Sequence, residues 1–142
     1  MKRQILIGLS LISLAAAPAW AATSWATSVN RGLETYQIKN DAAEVQLTCD
    51  PDRVFGGSSN ASLHVDFGQS DKATTLVVLS KSGHQAPLTI DQDGFAFQAQ
   101  QDPKAWADMV GFIKSGGDYA FVTSANAAQF DKVAPIGDLR CS

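Results

Sequence analysis

The sequence predicts an α+β domain: an antiparallel sheet of about six to eight strands, one amphipathic helix packed on it, and a short C-terminal helix. Two observations support this prediction. Most of the chain alternates apolar and polar residues with a period of two, and one later stretch changes to the period of about 3.6 that is typical of an α-helix. A β-sandwich with helical additions is the alternative architecture.

Residues 1–21 have the layout of a bacterial-type signal peptide. Two basic residues precede an apolar stretch, and Ala19 and Ala21 place small side chains at the expected cleavage site. The apolar stretch is shorter than the roughly 20 residues that span a bilayer. We therefore expect cleavage after Ala21, export to the periplasm or beyond, and a mature chain, residues 22–142, that forms a single domain without a membrane anchor.

The net charge of the chain indicates which classes of partner it can bind. The chain has 11 basic and 14 acidic residues, and two of the basic residues lie in the signal peptide, so the mature chain has 9 against 14 and a net charge of −5. The basic residues are scattered, which argues against nucleic acid or an anionic membrane as the partner. Another envelope or secreted protein is the expected partner. The sequence indicates no cofactor and leaves the oligomeric state open.

The two cysteines, Cys49 and Cys141, predict one disulfide, because an exported chain with an even cysteine count is expected to pair them. Cys49 ends an alternating segment, residues 43–49, and shares its apolar face. Neither cysteine has a second cysteine or histidine at metal-ligand spacing, so no metal site is predicted. The bridge should join an inward-facing strand residue to a C-terminal tail with little regular structure.

Alternation and turn residues predict strands over residues 25–29, 33–39, 43–49, 63–67, 74–79, 86–90, 95–99 and 119–123. Segment 74–79 is apolar on both faces and is expected to be a central strand covered on both sides. Segments 86–90 and 95–99 are expected to be successive antiparallel strands. Residues 50–60 are rich in turn formers and predict a surface loop whose glycines reflect flexibility.

A helix is predicted over residues 103–115, with Asp102 as its N-cap and Pro103 at the first helical position. Its apolar stripe, which includes Trp106, is interpreted as core packing and not as a pocket. Near the C-terminus, Ser124 is expected to cap a short helix that contains Ala127, Phe130 and Val133. Trp25 is expected to pin the new N-terminus to the domain.

His64 and Asp66 are the candidate site residues, since both leave the same face of one predicted strand. A carboxylate beside an imidazole can orient a general base or form half of a metal site. The favoured interpretation is a solvated strand face, because the sequence marks no nucleophile or further ligand, and His84 is the one residue that could join them. The acidic segment 91–94 is too short for a calcium loop and is interpreted as a turn.

The early Trp25, the strand that ends at Cys49, the helix–strand unit, the alanine-rich short helix and the terminal Cys141 form a layout that resembles small exported bacterial accessory proteins. The type VI secretion-associated and invasion-associated locus B proteins have comparable designs. The resemblance covers the architecture of most of the mature chain and implies an envelope accessory role without catalysis. It transfers no functional residues.

The function expected from the sequence is therefore a non-catalytic binding module that acts by protein contact, as an inhibitor, immunity or secretion accessory factor. No catalytic residues are assigned. A small envelope hydrolase using His64 and Asp66 is one alternative. A carrier of small ligands, with a pocket under the helix of residues 103–115, is the other.

Overall fold

The computed structural model describes residues 23–141, so the predicted signal peptide lies outside the described residues. The described chain forms nine strands, one 3-10 turn over Gln98–Gln100 and one α-helix. In chain order the elements are β1 Ala26–Asn30, β2 Leu33–Lys39, β3 Glu44–Cys49, β4 Ser62–Asp66, β5 Thr75–Ser80, β6 Gln85–Thr89, β7 Phe95–Phe97, α1 Pro103–Ser115, β8 Gly117–Val122 and β9 Ala127–Val133.

The strands form two antiparallel sheets. The first sheet has the order β1-β2-β3-β4-β7, and the second sheet has the order β6-β5-β8-β9. Buried side chains from both sheets and from α1 belong to one hydrophobic core. The α+β class is confirmed in broad terms, but nine described strands in two sheets replace the predicted single sheet of about six to eight. The molecule is thus richer in sheet than predicted, as in the β-sandwich alternative.

Alternation places one face of the first sheet in the core. In β3, Val45, Leu47 and Cys49 are buried and the residues between them are half-buried. Leu47 pairs with Leu63 of β4, and both side chains are fully buried. Cross-strand apolar pairs of this kind fix the register, because a shift by one residue moves every apolar side chain of the strand to the solvent face.

The second sheet corrects two expectations. Strand β5 lies between β6 and β8, but only its Leu76 and Val78 are buried, while Val77 and Leu79 on its other face are half-buried. It is therefore a central strand with one face fully covered. Strands β6 and β7 do not pair with each other, because they belong to different sheets and the turn at residues 91–94 carries the chain between them.

Helix α1 has the predicted bounds and caps. The Asp102 carboxylate accepts the backbone N–H of Ala105 at 3.0 Å, and Pro103 occupies the first turn. Trp106 is buried, in agreement with its predicted core role, and the helix lies against β6. The helix ends at Gly116, whose φ of 69° is in the left-handed region that favours glycine.

The predicted short C-terminal helix is wrong, because residues 127–133 form strand β9. Ala128 and Phe130 alternate inward, and a register shift in the pairing with β8 then brings Val133 to the core as well. Lys132, with a φ of 51°, lies at this irregularity. The bulge imitates helical spacing, because the extra residue turns a period of two into a separation of three.

Both ends of the described chain are fixed to the core. Trp25 is buried and donates its indole N–H to the Tyr119 hydroxyl at 2.6 Å, as its pinning role predicted. Cys49 and Cys141 form the expected disulfide, with Cα atoms 5.0 Å apart and both residues buried. The tail that precedes Cys141 has no helix or strand, which also agrees with prediction.

Candidate functional site

The structure places His64 and Asp66 on one face of β4 but gives them separate contacts. Nε2 of His64 lies 2.9 Å from the backbone carbonyl of Asp93, and the imidazole stacks on the Phe95 ring with centroids 4.2 Å apart. Asp66 accepts the backbone N–H of Gly68 at 2.7 Å. Among residues 23–141, no hydrogen bond or ion pair joins the two side chains. The geometry therefore provides no carboxylate-oriented base at this position.

The remaining sequence candidates also have local roles. His84 lies in the turn between β5 and β6, where its Nδ1 is 2.8 Å from the Ser82 hydroxyl. The Asp91 carboxylate accepts the backbone N–H groups of Asp93 and Phe95, each at 2.9 Å, and so closes the turn. Within the described part of the chain, no group of three or more His, Cys, Asp or Glu side chains is arranged to hold a metal ion.

The loop of residues 50–60 is organised around a buried acid. Asp50 is 7% exposed, and its carboxylate accepts the backbone N–H groups of Val54 at 2.7 Å and Phe55 at 2.8 Å. The Asn60 side-chain amide donates to the same carboxylate at 2.7 Å. The sequence interpretation ascribed this segment to flexibility, and the structure adds a set of hydrogen bonds, here called the Asp50 frame, that ties Val54, Phe55 and Asn60 to Asp50.

The hydrogen bonds to Asp50 also set its ionisation. Burial by itself raises the pKa of this carboxyl, but the N–H groups of Phe55 and Val54 and the Asn60 amide outweigh that effect and lower the pKa below its ordinary value. Asp50 is therefore ionised at neutral pH. A carboxylate satisfied by three donors holds the loop more firmly than an uncharged acceptor.

The framed loop presents apolar side chains to solvent. Val54 is 55% exposed and Phe55 is 58% exposed. Val54 also packs on the turn that joins β1 to β2, because a Cβ placed on Gly32 would lie 2.8 Å from Val54 Cγ2. The same hairpin carries Val29, which is 67% exposed. Three of the four most exposed large apolar residues in the described range thus belong to this loop and hairpin; Phe97 on β7 is the fourth.

Two arginines accompany these apolar residues. Arg31 lies in the β1–β2 turn and Arg53 lies in the loop, and neither forms an ion pair with any described residue. Both have positive φ angles, 52° and 56°. At Arg31 this angle is the one that a two-residue hairpin turn requires at its first central position. We call the set the hairpin-end surface, and it consists of Val29, Arg31, Arg53, Val54 and Phe55.

The C-terminal tail is tied to the same end of the molecule. Arg140 forms an ion pair with Glu34 of β2, and its other guanidinium nitrogen lies 3.7 Å from Asp52. The Tyr36 hydroxyl donates to Glu34 at 2.7 Å. This hydrogen bond lowers the pKa of Glu34, and Arg140 adds to the effect, although burial opposes it. Burial and the Glu34 contact raise the pKa of Tyr36 to about 12.

An apolar groove of about 380 Å³ lies between α1 and the loop of residues 50–60. Its lining includes Trp106, Val110, Gln98 and Gln101, so part of the stripe that was predicted as core packing alone also lines a groove. The side-chain carbonyl oxygen of Gln98 accepts the N–H of Ala61, and the side-chain amide of Gln101 donates to the backbone carbonyls of Thr89 and Phe97. The groove therefore offers mainly apolar contacts.

Comparison with protein-family models, with curated proteins and with solved structures gives no match to this chain. The assignment of a site therefore depends on the geometry of the chain itself. Within residues 23–141, no helix has both the length and the hydrophobicity needed to span a membrane.

Proposed function

We propose that this protein is an exported, non-catalytic binding module that contacts another envelope or secreted protein through its hairpin-end surface. The observation that carries the proposal is the Asp50 frame, which holds the exposed Phe55 and Val54 in a fixed position. Export is supported by the layout of the first 21 residues and by the Cys49–Cys141 bridge, since disulfides persist in oxidising compartments.

Fixed apolar side chains favour association with another protein. Ordering a loop during binding opposes affinity, so a loop that is already ordered avoids that loss. Aromatic and arginine side chains also dominate the binding energy of protein interfaces. Phe55 follows Arg53 and Val54 in the chain, and Val54 packs on Gly32, the residue after Arg31, so the surface has this composition. An inhibitor, immunity or secretion accessory factor requires a surface of this kind, and the architectural resemblance implies an envelope accessory role without catalysis.

The groove beside α1 favours a small-ligand carrier as a second candidate function. Its apolar wall can cover an apolar molecule, but the side-chain oxygen of Gln98 and the side-chain amide of Gln101 are bonded within the chain. No such observation favours the hydrolase alternative, because the side chains of His64 and Asp66 make separate contacts.

The test compares partner recovery by three forms of the tagged mature protein from envelope extract: wild type, the double variant Val54→Ser/Phe55→Ser, and the control Phe97→Ser. Phe97 is also exposed but lies on β7, the opposite edge strand of the first sheet. We expect a protein recovered by wild type and by Phe97→Ser to decrease about ten-fold or more with the double variant, because interface hot spots contribute about 2 kcal/mol or more.

Circular dichroism must show that all three forms are folded. Equal recovery of every protein by wild type and by the folded double variant contradicts the proposed function. Selective loss with Phe97→Ser contradicts the assignment of the surface.

A further inference from the structure

Within residues 23–141, strand β1 is the sheet edge without the features that usually prevent strand pairing. Four described strands lie at sheet edges: β1 and β7 in the first sheet, β6 and β9 in the second. Strand β6 contains Pro87, β9 carries a bulge at Lys132 with Asp131 beside it, and β7 has three residues. These are the features by which proteins block unwanted strand pairing. The β1 sequence, Ala-Thr-Ser-Val-Asn, contains no proline or charge, and its pairing with β2 is regular.

The register shows which backbone groups of β1 are open. Arg31 and Gly32 form a two-residue turn with positive φ angles, so the strands close on a hydrogen-bonded pair, Asn30 and Leu33. Hydrogen-bonded and non-hydrogen-bonded pairs alternate along an antiparallel ladder. The N–H and C=O groups of Thr27 and Val29 therefore point away from β2, and all five side chains of β1 are exposed.

We propose that the protein partner adds an extended segment to β1, with the open groups of Thr27 and Val29 forming the new ladder. This inference rests on the proposed function and deepens it by specifying how the partner binds. β-strand addition supplies main-chain hydrogen bonds, while neighbouring side chains select the sequence. Val29 on β1 provides an apolar contact beside the ladder, and Phe55 is exposed in the loop that packs on the β1–β2 turn through Val54.

Charge specifies the segment further. Arg31 directly follows β1 and Arg53 lies in the adjoining loop, and neither has an ion-pair partner among the described residues. A segment with carboxylates at the end that meets the β1–β2 turn complements them. A second copy of this chain, paired through β1, lacks that complement because β1 contains no carboxylate. The occupant is therefore an extended, acidic and apolar segment of a different protein.

The probe is an eight-residue peptide of alternating threonine and valine in which two threonines near one end are replaced by aspartate. Amide hydrogen exchange of the mature protein is followed residue by residue by NMR with millimolar peptide. We expect the peptide to slow exchange at Thr27 and Val29 by about five-fold or more and to leave Ala26 and Ser28 unchanged, since the latter amides already face β2. The same peptide with lysine in place of both aspartates should bind roughly two- to five-fold more weakly than the aspartate peptide.

Substitution at Thr27 gives a matched pair. Thr27→Pro removes the outward N–H and is compatible with an edge strand, whereas Thr27→Val keeps the N–H and the strand propensity. We expect peptide binding to be lost with Thr27→Pro and kept with Thr27→Val. If Thr27→Pro does not fold, the alternating exchange pattern of the wild-type chain still decides the question.

Several results overturn the inference. They are the absence of protection at Thr27 and Val29 at millimolar peptide, equal binding by folded Thr27→Pro and Thr27→Val, and a dimer that protects these amides without peptide. Loss of partner recovery with Val54→Ser/Phe55→Ser but not with Thr27→Pro leaves the proposed function intact and removes strand addition. Unchanged recovery with both variants removes the proposed function itself.

Discussion

Asp50 is the residue on which the candidate site depends, and it directly follows the cysteine at the end of β3. Its side chain accepts hydrogen bonds from residues four, five and ten positions later in the chain. An acid that precedes a proline in a turn-rich segment is common in sequences, so its composition gave no sign of burial. The burial of Asp50 results from the way the loop of residues 50–60 folds back over the end of β3, and this is a property of the tertiary structure.

The substitution Asp50→Asn tests the frame. Asparagine keeps one acceptor oxygen but turns an amide donor toward backbone N–H groups that need an acceptor. We expect amide exchange at Val54 and Phe55 to accelerate by about ten-fold or more, while exchange in β3 stays unchanged. NMR-monitored exchange measures both sets of amides in one experiment, and unchanged protection in the loop contradicts the role of Asp50.

The same frame has a defined dependence on pH. Because folding lowers the pKa of Asp50, its stabilising effect is complete above the ordinary value of 3.8 and is lost as the pH falls through the lower, folded-state pKa. Loop protection in the wild-type chain should therefore decrease in acid, and Asp50→Asn should remove that decrease.

At the scale of the element, helix α1 shows where the local pattern suffices and strand β9 shows where it does not. Helix α1 has a capping aspartate, a proline at its start, an apolar stripe and a glycine stop, and all of these agree. Strand β9 was predicted as a helix because Ala127, Phe130 and Val133 are three residues apart. Its true period is two with one bulge, and pairing with β8 decides between the two structures.

The end of α1 provides a paired prediction with two glycines. A Cβ on Gly116 would lie 2.5 Å from the Val133 carbonyl oxygen, and φ is 69°, so Gly116→Ala should lower the free energy of unfolding by about 2 kcal/mol or more. Gly111 lies within the helix with no atom near its Cβ position. Gly111→Ala should raise the free energy of unfolding by about 0.5–1 kcal/mol.

Urea unfolding of wild type and the two variants measures these changes. A Gly116→Ala variant as stable as Gly111→Ala contradicts the assigned close contact between the helix end and the chain that follows β9.

At the scale of the whole molecule, the disulfide joins β3 to the C-terminal tail across 92 residues of sequence. The bridge therefore restricts a large part of the unfolded chain. The tail also contributes Leu139 to the core, and its backbone carbonyl at Cys141 accepts the Trp106 indole N–H at 3.1 Å. Fixing the tail thus supports the packing of α1 as well as that of the first sheet.

Removal of the bridge should destabilise the domain of residues 22–142 by about 2–5 kcal/mol. Urea unfolding with and without reductant measures the effect, and the double variant Cys49→Ala/Cys141→Ala serves as the control that reductant does not alter. Because Cys49 is fully buried, reduction of the native protein should be slow and should accelerate in urea. Alkylation of two thiols in unreduced native protein, detected by intact mass, contradicts the bridge.

The sequence by itself determined those features whose cause is local in the chain. Alternation located eight of the nine described strands, capping residues bounded α1, and two cysteines without other partners indicated the bridge. The candidates His64 and Asp66 were correctly placed on one face of a strand, because that follows from the strand period.

Tertiary structure alone decided how the strands divide between two sheets and where the hairpin-end surface lies. The turn at residues 91–94 has the same local chemistry whether its strands pair or separate, so only packing assigns β6 and β7 to different sheets. Arg31 and Arg53 are distant in sequence, and they share one end of the molecule because Val54 packs on Gly32 and Asp50 holds the loop. Contacts between residues that are distant in the sequence leave no periodic pattern in it. The hairpin-end surface is therefore evident only in the folded chain.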